Sequence, residues 1–454
     1  MKPTLLVANR GEIACRVIRA ARKLSLRTVA VYSEVDRELP HVRMADVAVE
    51  IGSARPAESY LKAAVVLAAA KAHGATLIHP GYGFLSENAA FAAECADAGI
   101  QFVGPTPEVI RLMGDKDQAR RAAAAAGVPV VPGTGKLDPS DEAAVLEAGA
   151  KTGFPLLVKA AAGGGGIGMR TVSRPEDLVA ALAATSGLAQ KAFGDGSVYL
   201  ERFVERARHV EIQLFGFGDG EAVHLFERDC SLQRRHQKVV EEARAPNIRD
   251  TVRERIAEAA VKLARACKYQ GAGTVEFLYD AKTEEFFFLE MNTRIQVEHP
   301  VTEMITGVDL VATQLRLAMG EHLHHELAQT NIKPQGHAVE ARVYAENPAK
   351  NFMPSPGLLS VMRLPEGEGV RVDTGYEQGS RITPFYDPMV MKVIAHAPDR
   401  DQAIARLSQA LADLRLEGIV HNASYVRSVL AHSAFRAGEL HTGFLGQFHA
   451  ELIS

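Results

Sequence analysis

The chain has 454 residues, of which 47% are hydrophobic and 23% are charged, and its formal net charge is -4 at pH 7. We expect two or three domains from this length, and the balance of charge argues against nucleic acid as the main partner. No apolar run approaches the roughly 18 residues that span a membrane. The four cysteines form no C-x-x-C pair, so a zinc site or disulfide framework is not indicated and a reducing cytoplasm is favoured.

Roughly the first hundred residues predict alternating strands and helices, the pattern of a parallel sheet with helical crossovers. No G-x-G-x-x-G fingerprint follows the first strand, so dinucleotide binding is not supported. One short apolar run precedes the polar Asn9–Glu12, so we expect no signal peptide. The predicted strands are Leu5–Ala8, Arg27–Tyr32, Thr76–His79 and Gln101–Val103, and the predicted helices are Glu12–Leu24, Tyr60–Ala72 and Ala89–Ala98.

The loop His79–Asn88 is rich in turn residues and polar groups and follows a predicted strand. Such loops often face a ligand. A tight structural turn explains the same residues equally well, and the sequence alone leaves both interpretations open.

A proline- and glycine-rich hinge at Gly127–Gly133 opens a second section. Its length suits a small mobile lid of helices on a sheet. The section predicts a helix at Asp141–Thr152, a strand at Phe154–Lys159, a glycine loop, a strand at Met169–Val172, a helix at Pro175–Phe193 and a strand at Val198–Phe203.

The glycine loop lets backbone N–H groups approach an anion closely. It lies between two predicted strands and lacks the P-loop pattern, so we expect it to cover a triphosphate; a flexible linker is the alternative. Lys159 before the loop favours the phosphate role, and Lys116 would add a second neutralising charge. The glycines concerned are Gly163, Gly164, Gly165, Gly166 and Gly168.

From His209 onward the sequence is rich in predicted strands. A polar, basic run from Glu227 to Lys238 follows one of them and is either a solvated loop or an anion-binding segment. The predicted strands are His209–Phe217, Ala222–Phe226, Gly273–Tyr279 and Glu284–Asn292; the predicted helices are Asp250–Tyr269 and Val308–Met319, and further strands with a helix at Arg400–Leu416 follow His337.

The stretch Glu290–Pro300 concentrates chemistry at the end of an apolar strand. Its carboxylates and amides can hold a hard metal ion, its arginine a small anion, and Glu298 is left to act as a base. A buried carboxylate at Glu276 is costly unless it is paired or binds a metal. We therefore expect Glu276 and Glu290, on adjacent strands and supported by Asn292, to bind Mg²⁺. Solvated salt bridges are the alternative.

These motifs together resemble the biotin carboxylase family of the ATP-grasp superfamily over nearly the whole chain. No single motif would suffice, but their order along the chain matches that of the family. The anchors are Asn9–Glu12, His79–Asn88, Met113–Lys116, the glycine loop, Arg208–Gln213, Glu227–Glu242, Gly271–Glu276, Glu290–Pro300 and Gly336–Arg342.

The resemblance implies an α/β (α+β) architecture in three parts: a Rossmann-like parallel-sheet domain at residues 1–115, an ATP-grasp domain at 116–320 with a mobile lid at about 131–204, and a mixed β domain at 335–446. The implied activity is ATP-dependent carboxylation of biotin by bicarbonate through carboxyphosphate. The chain looks most like the stand-alone subunit of a bacterial acetyl-CoA or acyl-CoA carboxylase, which would place it in fatty-acid synthesis.

The resemblance also implies roles for individual residues. Glu298 would take the bicarbonate proton, and Arg342 would stabilise the biotin enolate. Two Mg²⁺ or Mn²⁺ ions would be held by Glu276, Glu290 and Asn292, and bicarbonate by Lys238, Arg294, Gln296, Val297 and Glu298. The ATP phosphates would be bound by Lys116, Lys159, the glycine loop and His236, the ribose by His209 and Gln233, and the adenine by Met169, Glu201, Arg202, Phe203, Val204, Leu278 and Leu289.

Some positions depart from the family pattern without replacing a residue assigned to chemistry. Ile167 stands where many members have a basic residue, Arg244 where a proline is familiar, and His421 where a threonine is common. We expect these departures to affect rates and details rather than the activity itself.

The partners are implied in the same way. The Met391-Lys392 pair resembles a biotin attachment site, but no carrier domain surrounds it and the chain ends at Ser454, so we expect the biotin on a separate biotin carboxyl carrier protein. Carboxyltransferase subunits and a homodimer are also expected, with no nucleic acid and no membrane. The final acceptor stays open among acyl-CoA, pyruvate and 2-oxoglutarate. An ATP-grasp ligase for another carboxylate and a catalytically silent scaffold are the competing interpretations.

Overall fold

The computed structural model describes residues 3–160, 169–193, 195–235 and 237–453. The glycine loop, with Gly163 to Gly166, Ile167 and Gly168, and His236 lie outside the described residues. The chain forms two compact units, one made of Met1–Val128, Arg208–Phe277 and Glu290–Ser454, and the other of Pro129–Ala207 and Leu278–Leu289.

The N-terminal part of the first unit is a parallel sheet with strand order β3-β2-β1-β4-β5, as the alternating pattern predicts. Its strands are β1 Thr4–Val7, β2 Arg27–Tyr32, β3 Val47–Glu50, β4 Leu77–His79 and β5 Gln101–Phe102; its helices are α1 Gly11–Lys23, α2 Pro40–Met44, α3 Ala63–Ala72, α4 Ala89–Asp97, α5 Pro107–Gly114 and α6 Lys116–Ala125.

Both faces of this sheet are buried, which explains its continuous apolar strands. On β1, Leu5 and Val7 pack in the same cluster as Val17 of α1, whereas Leu6 packs on the other side with Phe91 of α4.

The second unit is a small antiparallel sheet with strand order β7-β6-β8 and two helices. Its core contains Leu156, Leu178 and Leu200. The segment Leu278–Leu289 belongs to the same unit, and its Phe288 donates its backbone N–H to the Pro129 carbonyl at 2.7 Å. The elements are α7 Glu142–Thr152, β6 Leu156–Ala160, β7 Met169–Val172, α8 Leu178–Phe193 and β8 Val198–Arg202.

The rest of the chain is organised around an eight-stranded sheet with order β13-β12-β9-β10-β11-β14-β21-β19. Its strands are β9 Arg208–Phe217, β10 Ala222–Arg234, β11 Gln237–Ala243, β12 Gln270–Asp280, β13 Glu285–Asn292, β14 His337–Tyr344, β19 Val370–Thr374 and β21 Met389–Ala397. The short strands are β15 Glu346–Asn347, β16 Met353–Pro354, β17 Gly357–Leu358, β18 Val361–Arg363, β20 Arg381–Ile382 and β22 Arg415–Glu417.

Helices cover both faces of the C-terminal strands. Leu407 of α12 packs with Val393, while Val301 of α10 packs with Ile394, the next residue of β21 and therefore on its opposite face. The helices are α9 Asp250–Ala266, α10 His299–Thr306, α11 Leu310–Ala318, α12 Arg400–Asp413, α13 Ala423–Ala431, α14 Ser433–Arg436, α15 Phe444–Gln447 and α16 His449–Leu452; short 3₁₀ turns occur at Glu34–Asp36, Pro56–Glu58, Pro175–Asp177 and Pro348–Lys350. Among the described residues, none of the helices is long and apolar enough to cross a membrane.

Two predicted segments differ in kind from the structure, and the helix predicted at Tyr60–Ala72 begins only at Ala63. The polar run from Glu227 is not a loop after a short strand, because β10 continues to Arg234 and pairs with β11. Buried side chains of this run, such as Arg228, are charged and pair with other buried charges. The sequence of the run therefore lacks the apolar residues expected of a buried strand. The predicted helix Arg400–Leu416 ends at Asp413, and Arg415–Glu417 pairs as β22 with β18.

Candidate active site

Lys238, on β11, lies among three carboxylates of the first unit. Its Nζ is 2.7 Å from Oε2 of Glu211, 3.1 Å from Oε1 of Glu276 and 2.5 Å from Oε1 of Glu298. Burial disfavours the ammonium ion, but the three carboxylates outweigh burial and hold the pKa of Lys238 well above its usual value. The site therefore contains a fixed positive charge.

Glu298 is the N-cap residue of α10 and is almost completely buried. Its second oxygen accepts a hydrogen bond from Nη2 of Arg342 at 3.1 Å. Burial favours the protonated acid, but Lys238 and Arg342 lower the pKa of Glu298 below its ordinary value. Glu298 is consequently a carboxylate and is able to accept a proton.

Arg342 is held from two sides on β14. Its Nε donates to Glu241 on the neighbouring strand β11, and its Nη2 donates to Glu298. Burial raises the pKa of Glu241 to about 7 against the opposing effect of Arg342. These ion pairs fix the guanidinium beside the candidate base.

Arg294 and Gln296 also form hydrogen bonds with residues of the predicted site. Arg294 donates to Glu87 at 2.9 Å and to Asn292 at 2.7 Å, and Gln296 donates to Glu276 at 2.9 Å. Glu87 belongs to the loop His79–Asn88, so that loop contacts the Glu290–Pro300 stretch.

Glu276 and Glu290 lie on the adjacent strands β12 and β13, as predicted. Asn292 donates to Glu276 at 3.0 Å, and Nε2 of His209 is 3.0 Å from the other oxygen of Glu276. Burial and then the charge of Glu276 raise the pKa of Glu290, a repulsion that a divalent cation would relieve. These hard oxygen donors fit Mg²⁺ or Mn²⁺.

Two further predicted nucleotide contacts lie in the first unit. Lys116 begins helix α6, directly after the N-cap residue Asp115, and its positive charge opposes the raised pKa of Glu290. Gln233 donates to the backbone carbonyl of Cys230 at 2.8 Å.

The second unit carries the remaining described residues of the predicted nucleotide site. Lys159 pairs across the strands with Met169 and forms an ion pair with Glu201. Met169 and Leu289 are 46% and 43% exposed, so both side chains are accessible to a ligand. Arg202, Phe203, Val204 and Leu278 are half-buried.

Sequence reasoning did not single out Arg228, which is completely buried on β10. Its guanidinium forms an ion pair with Glu211 at 2.6 Å and donates to Gln296 at 2.8 Å. It thereby joins the lysine cluster to the loop before Glu298. The available signal was its place in a charged run directly after a predicted strand, because a charge there must be paired if the run is buried.

Comparison with known proteins identifies the family of the chain. Three family models match the chain: "Biotin carboxylase, N-terminal domain" over residues 1–110, "Carbamoyl-phosphate synthase L chain, ATP binding domain" over 115–326, and "Biotin carboxylase C-terminal domain" over 340–447.

The chain is similar over nearly its whole length to biotin-dependent carboxylase proteins and to solved structures of biotin carboxylases. The chain is 51% identical to a biotin carboxylase of Halalkalibacterium halodurans, covering 97% of this chain and 96% of the relative. It is 50% identical to the mitochondrial methylcrotonoyl-CoA carboxylase subunit alpha of Rattus norvegicus, covering 99% of this chain and 62% of the relative. A crystal structure of the biotin carboxylase domain dimer of Hydrogenobacter thermophilus 2-oxoglutarate carboxylase, with MgADP, ADP and bicarbonate, has a TM-score of 0.90 and 42% identity, covering 100% of this chain and 99% of that one. The chain therefore belongs to the biotin carboxylase family of ATP-dependent ligases.

Proposed function

We propose that this chain carboxylates biotin carried by a separate biotin carboxyl carrier protein, using bicarbonate and ATP through carboxyphosphate. The observation that supports this best is the buried cluster of Lys238, Glu298 and Arg342, which combines a fixed cation, an ionised carboxylate and a second cation. Bicarbonate activation needs a base beside an anion site, and the cluster supplies both.

Bicarbonate would bind between Lys238 and Arg294, with Gln296 and Val297 completing its contacts. Glu298 would then remove the bicarbonate proton and raise its nucleophilicity toward the γ-phosphate. The lowered pKa of Glu298 keeps it ionised at neutral pH, so the carboxylate is free of a proton when bicarbonate binds. Bicarbonate would displace Lys238 from part of its present carboxylate contacts.

The nucleotide would be held by the residues that the family resemblance implies. Lys116, Lys159, the glycines between 163 and 168, and His236 would bind the phosphates, whereas His209 and Gln233 would bind the ribose. Glu276, Glu290 and Asn292 would hold two Mg²⁺ or Mn²⁺ ions, which neutralise charge on the transferred phosphoryl group. The adenine would lie against Met169, Glu201 to Val204, Leu278 and Leu289.

Arg342 would act in the second part of the reaction. Carboxyphosphate breaks down to CO₂ and phosphate, the phosphate removes the N1′ proton of biotin, and Arg342 donates to the enolate oxygen. The ion pair with Glu241 orients the guanidinium for this contact. Because CO₂ and carboxyphosphate are readily lost to water, a closed lid would protect them.

The resemblance also bears on which complete carboxylase this chain serves. We infer an acetyl-CoA or acyl-CoA carboxylase of fatty-acid synthesis, with pyruvate, propionyl-CoA and 2-oxoglutarate carboxylases as alternatives. The chain would work with carboxyltransferase subunits, as a homodimer, in the cytoplasm; its four unpaired cysteines suit a reducing compartment. The three-domain division at residues 1–115, 116–320 and 335–446 is part of the same proposal.

The direct test is ADP release by the purified chain with Mg²⁺ and bicarbonate, with and without free biotin. We expect ADP release that requires bicarbonate and increases with biotin. ATP binding without biotin-dependent turnover would contradict the proposal, and turnover with another carboxylate in place of bicarbonate would favour a different ATP-grasp ligase.

Removal of the divalent cation should abolish turnover, because Glu276 and Glu290 alone place like charges beside the phosphates. We expect ADP release to stop in EDTA and to return with Mg²⁺ or Mn²⁺. In Glu290→Gln, the Mg²⁺ concentration for half-maximal rate should rise about tenfold or more, whereas the exposed control Glu285→Gln should leave it unchanged. An unaltered Mg²⁺ requirement in Glu290→Gln would refute this metal site.

A further inference from the structure

Lys392 lies in the middle of β21 and has no exposed surface. A buried ammonium ion is costly unless it is paired and hydrogen-bonded. The same burial argues against modification of this lysine, which agrees with rejecting the Met391-Lys392 pair as a biotin attachment site. Lys392 nevertheless lies next to the candidate active site, because it contacts Val297, the residue before Glu298.

The contacts of Lys392 join separate parts of the first unit. Its Nζ donates to the backbone carbonyl of Val297 at 2.7 Å and lies 3.1 Å from Oε1 of Glu12. Glu12 in turn accepts a hydrogen bond from the hydroxyl of Tyr82. One lysine therefore connects the loop before the candidate base, the N-terminal Asn9–Glu12 motif and the loop His79–Asn88.

The sheet register places this charge on the face that carries the site. Lys392 is directly opposite Arg342 on β14 and opposite Asp373 on β19. Like charges in directly opposite positions are unfavourable unless each has its own partner. Arg342 is paired with Glu241 and Glu298, and Lys392 has its own partners in the Val297 carbonyl and Glu12.

The Val297 carbonyl belongs to the same planar peptide unit as the N–H of Glu298. The preceding peptide is held as well, because Nδ1 of His299 lies 2.7 Å from the Gln296 carbonyl oxygen. The backbone on both sides of Val297 is consequently fixed, and Lys392 supplies the bond on the side of Glu298.

We propose that Lys392 is a positioning residue that fixes the peptide between Val297 and Glu298 and thereby the bicarbonate-binding loop. The inference rests on the proposed function. Displacement of a reacting group by about 1 Å can cost a factor of 10² in rate. If Lys392 only balanced charge in the core, its loss would lower the stability of the fold but would not specifically raise the KM for bicarbonate.

The test is Lys392→Met in the full chain, assayed by bicarbonate-dependent, biotin-stimulated ADP release. We expect kcat to fall about 100-fold and the KM for bicarbonate to rise about tenfold, with the KM for ATP within about twofold of wild type. Arg400→Met is the matched control, because Arg400 is a partly buried cation that pairs with Glu242 and does not contact Val297 or Glu298 in the described residues.

A double variant separates positioning from stability. Glu12→Gln with Lys392→Met removes the carboxylate left unpaired by the single change, so the melting temperature should recover while kcat stays low. Recovery of activity together with stability, or a bicarbonate KM in Lys392→Met equal to that of Arg400→Met, would overturn the inference. A wild-type chain without bicarbonate-dependent ADP release would instead refute the proposed function, and this inference with it.

Discussion

Glu298→Gln is expected to lower kcat for biotin-dependent ADP release by about 10²- to 10⁴-fold, the usual contribution of a general base. The substitution keeps the size of the side chain and removes its ability to take a proton. It also removes the negative charge shared by Lys238 and Arg342, which contact the two oxygens of Glu298. Binding of ATP should be preserved, because the proposed nucleotide contacts lie elsewhere.

The value of kcat is measured from ADP release at fixed times, and ATP binding is measured by equilibrium titration. Glu303→Gln is a matched control from the same helix: Glu303 is also buried, and it pairs with Arg16 and Arg371 rather than with the site. We expect this control to lose stability but to keep most of its activity. Similar kcat values for the two variants would show that Glu298 is not the base.

Arg228→Met should reduce the free energy of unfolding by about 3–5 kcal/mol, since it breaks a buried ion pair by removing one partner. The variant leaves Glu211 buried beside two further carboxylates with only Lys238 and His209 to compensate. The hydrogen bonds lost are those to Glu211, Gln213, Thr274, Gln296 and Thr302.

Denaturant unfolding followed by circular dichroism measures this effect in the full chain. Arg316→Met serves as the control, because Arg316 forms ion pairs with Glu321 and Glu326 at the surface, where such pairs contribute at most about 1 kcal/mol. A second variant, Arg228→Met with Glu211→Gln, should recover part of the loss. Equal unfolding midpoints for Arg228→Met and Arg316→Met would contradict the central role of Arg228.

Much of the fold follows from local patterns. Arg27–Tyr32 and Met169–Val172 are strands with the predicted bounds, and Glu276 and Glu290 do lie on neighbouring strands. These features depend on residues close in sequence or on the resemblance of whole motifs. The roles of the site residues remain proposals, although the structure brings Lys238, Glu298 and Arg342 together.

Other features depend on strand order, which periodicity does not contain. Glu241, Arg342 and Lys392 come together only because β11, β14 and β21 are neighbours in the sheet. On sequence, the run that contains Arg228 is compatible with either a solvated loop or an anion-binding segment, because charged residues in a strand next to a buried site remove its apolar pattern. Each of these residues becomes informative only when its partner from a distant part of the chain is known.

The segmented second unit has a consequence for synthesis of the chain. All of its residues have been made once Leu289 has been added, whereas the eight-stranded sheet still lacks β14, β19 and β21 at that point. Domains generally fold as units during translation. A nascent chain that ends at Leu289 would therefore contain every residue of the second unit but neither Arg342 nor Lys392, so the candidate active site can be completed only after the second unit has been synthesised.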